Sequence, residues 1–250
     1  MPAPRILYED NDILVLDKPA GLVVHPAPTE QGEPDTLVTW LLAHYPELRG
    51  VGEDPQRPGI VHRLDKDTSG IMVVARKQIA FEKLKRAFKE HRIQKRYLVL
   101  VEGRPDWDAK VVDLAIRRSG SGLFRARHPK DIATLPEEER AQYRPATTDF
   151  RVLKQHGAYT LLEARPKTGR THQIRVHLRA IGLPVVGDAL YSPKKSVSAA
   201  RAAGLTRHFL HATELTFVHP QTGEQLTFTS ELPRELKDFL KKFPNEKAQD

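Results

Sequence analysis

Residues 59–76 read GIVHRLDKDTSGIMVVAR. Two apolar runs, 60–61 and 71–75, enclose His62, Arg63, Asp65, Lys66 and Asp67. Asp67, Thr68, Ser69 and Gly70 supply turn chemistry, so Asp65 belongs on a loop at the rim of a sheet, held from both ends. A carboxylate there suits nucleophilic or base chemistry. A capping or solvated aspartate would explain an isolated Asp equally well. A second cluster lies in PKTGRTHQIRVHLRAIGLPVVGD, residues 166–188. Thr171 reads as an N-cap. Ile174, Leu178 and Ile181 recur at helical spacing, and Gly182 falls where a helix ends. His172, Arg175 and Arg179 then share a face, with Arg170 at the positive end, where a phosphate or carboxylate is favoured. A solvated basic face is the plainer alternative. The third cluster is IQKRYLVLVEG, residues 93–103. Tyr97 opens an alternating run directly after Lys95 and Arg96, and its ring suits either a core position or stacking on a base.

Other chemistries lack their residues. His172 and His177 are not at HExxH spacing and have no accompanying carboxylate, so no metal site is expected. There is no GxxxxGK[ST] or GxGxxG, hence no sign of a nucleotide cofactor, and no GxSxG around Ser69. The chain has no cysteine, which removes thiolate and disulfide chemistry. It has 250 residues and a formal net charge of +8, a surplus that attracts polyanions, nucleic acid above all. No stretch has the form of a signal peptide or membrane span, and a cytoplasmic protein is expected.

The elements that must position these residues are short. Residues 13–16, 21–25, 71–75, 97–101, 159–164 and 226–228 read as strands. Asp35 or Thr36 caps a helix carrying Leu37, Trp40, Leu41 and His44. Residues 80–91 form a helix with Phe81, Leu84 and Phe88 inward and Lys83, Lys85, Arg86 and Lys89 outward. Pro233 fits the first turn of a C-terminal helix. Residues 117–148 and 192–206 read as long surface loops. Strands with scattered helices imply an α+β fold with a largely antiparallel sheet, without an internal domain boundary.

In this order the motifs are familiar. HRLDKDTSG, then KRY, then GRTHQIRVHL with the following G-P-GD-Y pattern resemble the RluA-type pseudouridine synthase family. DKPAGLVVHP at 17–26 resembles its first motif, and FLHATELTFVHPQTGE at 209–224 its closing segment. The resemblance covers nearly the whole chain. It implies one catalytic domain over 1–250. Many relatives carry an S4 RNA-binding domain at the N-terminus, and this sequence begins almost at the catalytic domain, so either a short-form member without S4 or a truncated chain is expected. Residues 245–250, NEKAQD, read as a frayed tail. The implied fold is a mixed, mostly antiparallel central sheet with flanking helices and an active-site cleft. The implied reaction is isomerisation of uridine to pseudouridine in structured RNA, without metal or organic cofactor. Ribosomal large-subunit RNA is the expected substrate, with transfer RNA the alternative, and the protein is expected to act as a monomer.

Residue by residue, the resemblance makes Asp65 the catalytic aspartate and Tyr97 the tyrosine that packs on the target base. It makes Arg175, ahead of Arg170, the partner of the aspartate. Arg63 is expected to enter the RNA stack as the nucleotide flips out, and His62, Lys95, Arg170 and His172 to contact RNA around it. Whether Asp65 attacks C1′, attacks C6 or removes the 2′ proton is open. Two rival readings follow from the same residues. A non-catalytic RNA-binding assembly factor could keep this fold. A glycoside hydrolase could use Asp65 with Asp67, although its sugar platforms need more aromatics than the 7% present.

Overall fold

The structure is a computed structural model, described for residues 3–25 and 35–243. The tail expected at 245–250, and Pro26 of the first motif, lie outside the described residues. In chain order the strands and helices are β1 (Arg5–Glu9), β2 (Ile13–Lys18), α1 (Leu37–His44), β3 (Ser69–Ala75), α2 (Gln78–Lys89), β4 (Gln94–Glu102), β5 (Ala109–Asp113), β6 (Ala115–Arg118) and β7 (Phe124–Arg127). There follow α3 (Pro129–Ala133), α4 (Glu137–Arg140), β8 (Thr147–His156), β9 (Tyr159–Pro166), α5 (Gln173–Ala180), α6 (Lys194–Ala202), β10 (Leu210–Val218), β11 (Gln225–Thr229) and α7 (Arg234–Lys241). The fold is α+β, a mixed sheet with flanking helices, as expected. Among the described residues no helix is long and apolar enough to cross a membrane.

The chain divides into two compact units, one holding residues up to Lys95 together with Ala212–Glu231, the other Arg96–His211 together with the residues from Leu232 onward. In the first unit the strands run in the order β1-β2-β3-β10, with β11 paired to β10. Strands β2 and β3 are antiparallel, in a register that sets Val15 against Val73 and Ile13 against Ala75. Alternation then sends Ile13, Val15, Ile71 and Val73 to one face, where Phe81 and Leu84 of α2 pack against them together with Leu215 and Phe217 of β10. Gly70, at φ +122, lets β3 pass so close to β10 that a Cβ would overlap the Ala212 carbonyl. The N-terminus of α1 is fixed by a reciprocal box: Thr36 Oγ1 accepts the Thr39 amide at 3.1 Å, and Thr39 Oγ1 accepts the Thr36 amide at 2.9 Å.

In the second unit the order is β4-β9-β8-β5. One face of this sheet carries Val99, Val101, Phe150, Leu162 and Ala164, packed on Ile174 and Leu178 of α5. The other carries Leu100 and Leu161, packed on Ala200 of α6 and on Leu236 and Phe239 of α7. Outside this sheet, β6 and β7 form a hairpin whose Ile116, Phe124 and Ala126 lie on Val176 of α5 and Tyr191.

Several expectations are corrected. Residues 21–25 form no strand; Val23 makes only an isolated bridge to Thr36. Residue 60 likewise contributes a single bridge, to Val74, in place of a strand. The stretch 117–148 is no long loop: it continues the β6–β7 hairpin and holds α3 and α4, and 192–206 contains α6. The arginines of RRSGSG and RARHPK had disguised the hairpin, because Arg117 is paired with Arg125, and Ala115 with Arg127, on the side away from its apolar face.

Candidate active site

In the first unit the loop that carries Asp65 is pinned at its backbone. Its Asp65 carbonyl accepts the Thr68 amide at 3.1 Å, closing a turn. The Lys66 carbonyl accepts the Gly21 amide at 2.9 Å and Lys18 Nζ at 3.0 Å. Lys18 is fully buried, and Nζ also donates to the carbonyls of Pro19 and Leu22, each at 2.9 Å. Burying an ammonium is expensive unless its protons are bonded, and these carbonyls take them. The first motif therefore acts as a clamp on the residue after Asp65. Leu64 is buried beside it, while Asp65 is half-buried.

The other end of the loop is held by His62. Its Nε2 accepts the Val73 amide of β3 at 3.0 Å, and its ring stacks on Phe88 of α2 with centroids 4.5 Å apart. An acceptor Nε2 requires a neutral imidazole with its proton on Nδ1. Burial, with the Lys95 ammonium adding to it, pushes the His62 pKa down to about 3. The unfolded chain, with a histidine pKa of about 6.5, takes up this proton more readily. The stability that His62 contributes is thus complete above about pH 6.5 and is lost as the pH falls toward 3. Unfolding titrations at about pH 7 and pH 5 should show His62→Gln losing less of its stability on acidification than the native chain. Equal losses would mean that His62 is already protonated in the fold.

His62 is thus a half-buried support of the loop, whereas Arg63 is exposed, with Nη1 2.7 Å from His25 Nε2. Lys95, at the start of β4, is half-buried, and burial lowers its pKa to about 8.

In the second unit Tyr97 packs on an apolar cluster to which α5, the helix carrying Arg175, contributes. Tyr97 follows the alternation of Val99 and Val101 and packs with them on the cluster that includes Ile174 and Leu178. Helix α5 begins at Gln173, one turn position later than a Thr171 cap would give. Its N-cap is His172, held at φ +57 without a side-chain cap. Gln173 does the fastening: Oε1 accepts the Thr168 hydroxyl at 2.6 Å and the Arg170 amide at 3.0 Å, and Nε2 donates to the Thr147 carbonyl at 3.0 Å. At the far end the Gly182 amide reaches the Arg179 carbonyl and the Leu183 amide that of Leu178, the paired bonds of a glycine-terminated helix. His177 is buried between the Leu114 carbonyl, 2.9 Å from Nε2, and Thr148 Oγ1, 3.0 Å from Nδ1.

The shared basic face expected of His172, Arg175 and Arg179 is not what forms. Arg179 is exposed and Arg175 buried. Arg175 grips Asp188 through two bonds, Nε to Oδ2 at 2.7 Å and Nη2 to Oδ1 at 2.8 Å. Burial would raise the Asp188 pKa, but the hydrogen bonds and charge of Arg175, with His208 and the Leu190 amide, hold it below the usual aspartate value. Asp188 is placed by its own backbone: residues 184–186 run beside β4, with the Val186 amide on the Leu100 carbonyl at 2.9 Å. Gly187 follows at φ +76, where a Cβ would overlap the Arg207 carbonyl. Arg170 is exposed, and its Nε donates to the Pro145 carbonyl at 3.1 Å.

Lys18, Asp188 and Tyr191 carried no assigned role in the sequence. All lie inside recognisable motifs, DKPAG and G-P-GD-Y, and that was the signal available.

Solved structures share this fold. Human RNA Pseudouridylate Synthase Domain Containing 4 superposes with a TM-score of 0.70 at 27% identity, covering 96% of this chain and 92% of that one. An uncharacterised RNA pseudouridine synthase of Chloroflexus aurantiacus is 46% identical over 226 residues, 90% of this chain and 65% of its own length. Ribosomal large subunit pseudouridine synthase D of Yersinia pestis is 40% identical over 243 residues, 94% of this chain and 69% of its own length. The chain thus spans about two thirds of these curated relatives. The family model for RNA pseudouridylate synthase matches residues 12–180. The chain belongs to the RNA pseudouridylate synthase family, in its RluA-type branch, and its class of activity is that family's isomerisation of uridine in RNA.

Proposed function

We propose that this enzyme converts uridines of large-subunit ribosomal RNA to pseudouridine, with Asp65 as the nucleophile or base. The observation that carries the reading is the Asp65 loop, fixed through Lys66, Thr68 and His62 so that one carboxylate is presented at a defined place. The ribosomal substrate is supported by the relatives of Yersinia pestis and Zymomonas mobilis, named for the ribosomal large subunit, and by the +8 charge. The N1–C1′ bond breaks, the freed uracil turns, C5 bonds to C1′, and the C5 proton leaves as N1 gains one. Arg63 fills the space that the flipped nucleotide vacates, at a cost of a few kcal/mol that pocket contacts offset. His62 supports the loop, and Lys95, Arg170 and His172 face the surrounding RNA. Tyr97 packs on the base and assists loss of the C5 proton, and Arg175 is the cation of the reaction. On this reading the enzyme works in the cytoplasm as a monomer, without a cofactor.

Release of tritium from RNA labelled at uridine C5 tests it. Large-subunit ribosomal RNA should release label stoichiometrically with the sites modified. Release from transfer RNA alone would move the substrate, and none from any RNA would favour a binding factor. Tyr97→Phe should keep RNA affinity within about twofold while release slows by about 10²-fold or more, the range of a lost general acid–base group. Equal loss of affinity and turnover would make Tyr97 scaffold.

A further inference from the structure

Tyr191 joins three elements of the second unit. Its amide donates to Asp188 Oδ1 at 3.2 Å, the same carboxylate that grips Arg175. Its ring lies beneath the guanidinium, whose carbon is 5.1 Å from the ring centre. Its hydroxyl accepts the Phe124 amide of the β6–β7 hairpin at 3.1 Å and stands 2.8 Å from His172 Nδ1 at the cap of α5. The His172 ring meets both Tyr191 and Phe124 edge-on, with centroids 5.6 Å apart in each case. The residue so gripped is in the left-handed region, a conformation that non-glycine residues keep only when their surroundings impose it.

We propose that Tyr191 is a positioning residue for Arg175: the ring sets the guanidinium plane, and the hydroxyl fixes the ring against the hairpin and the helix cap. The proposal rests on the reading of Arg175 as a residue of the reaction. The two bonds to Asp188 align guanidinium and carboxylate with each other, and the Leu190 and Tyr191 amides hold that carboxylate. The aromatic face adds a restraint on the guanidinium. Phenylalanine would keep the edge-on ring contact with His172 and lose the two polar contacts of the hydroxyl, to the Phe124 amide and to His172 Nδ1. A displacement of about 1 Å in a reacting group costs about 10²-fold in rate, so a small tilt of the ring is felt in turnover.

The test compares Tyr191→Phe and Tyr191→Leu with Arg175→Ala in the full chain. Single-turnover tritium release is followed on an RNA that the native protein modifies, with protein saturating, alongside the RNA Kd and a thermal melt. Tyr191→Phe should slow the rate constant about tenfold and Tyr191→Leu about 10²-fold, at native Kd and with native amplitude in the folded fraction. A loss of amplitude with a native rate constant means misfolded molecules only, and overturns the proposal. So do native rate constants in both Tyr191 variants beside a slow Arg175→Ala. Native turnover by Arg175→Ala overturns the reading beneath it, and the proposal with it.

Discussion

Asp65→Asn should bind RNA as the native chain does and release tritium at least about 10⁴-fold more slowly. Knocking out a nucleophile commonly costs this much, because binding and the remaining polar contacts supply only the residual rate. The substitution removes the charge and keeps the size of the side chain. The contacts that pin the loop run through the backbone carbonyls of Asp65 and Lys66 and through the His62 ring, and asparagine leaves each of them in place. Loss of RNA binding together with turnover would show that residue 65 shapes the loop instead of reacting. Lys18 offers the complementary case: it ties the Lys66 carbonyl of the loop to the carbonyls of Pro19 and Leu22 in the first motif.

Arg175→Ala and Asp188→Ala should each lower the melting temperature by about 10 °C, and Arg175→Ala should also abolish turnover. Breaking a buried pair costs about 3–5 kcal/mol, because the partner keeps its desolvation penalty and loses its counter-charge. For a chain of this size each kcal/mol moves the midpoint by about 2–4 °C. The sign of the pH dependence follows from Asp188, whose folded pKa lies below its ordinary value. Its stabilisation is complete above the ordinary aspartate range, near pH 4, and is lost as the pH falls below it. Removing both partners together should restore part of the stability and none of the activity, since no buried charge is then left alone. Melting curves as firm as the native one in both single variants would mean that the pair is solvated.

The sequence made some parts of this fold readable and hid others, for physical reasons. Helix α1 announced itself through Thr36, and α5 through Gly182, because caps are local chemistry. Strand β8 did not: a bulge between Val152 and Lys154 breaks its alternation, and Arg151 and Lys154 lie on exposed positions. Strand β10 buries His211 and Thr213, polar residues that mask a core strand. Asp65 and Tyr97 were legible as motif residues on a loop and a strand. The burial of Arg175 was not, because a basic helix face looks solvated until Asp188, thirteen residues on, is folded beneath it. Lys18 was hidden for the same reason, since the carbonyls that take its protons include one forty-eight residues away.

The central claim is that the carboxylate of residue 65 makes pseudouridine in ribosomal RNA. Nucleotide-resolution mapping of pseudouridine tests it in cells that carry the native gene, its deletion, or Asp65→Asn in its place. Pseudouridine should vanish from one or a few uridines of large-subunit RNA on deletion and stay absent with Asp65→Asn. Full modification of those uridines by the Asp65→Asn protein would contradict the account.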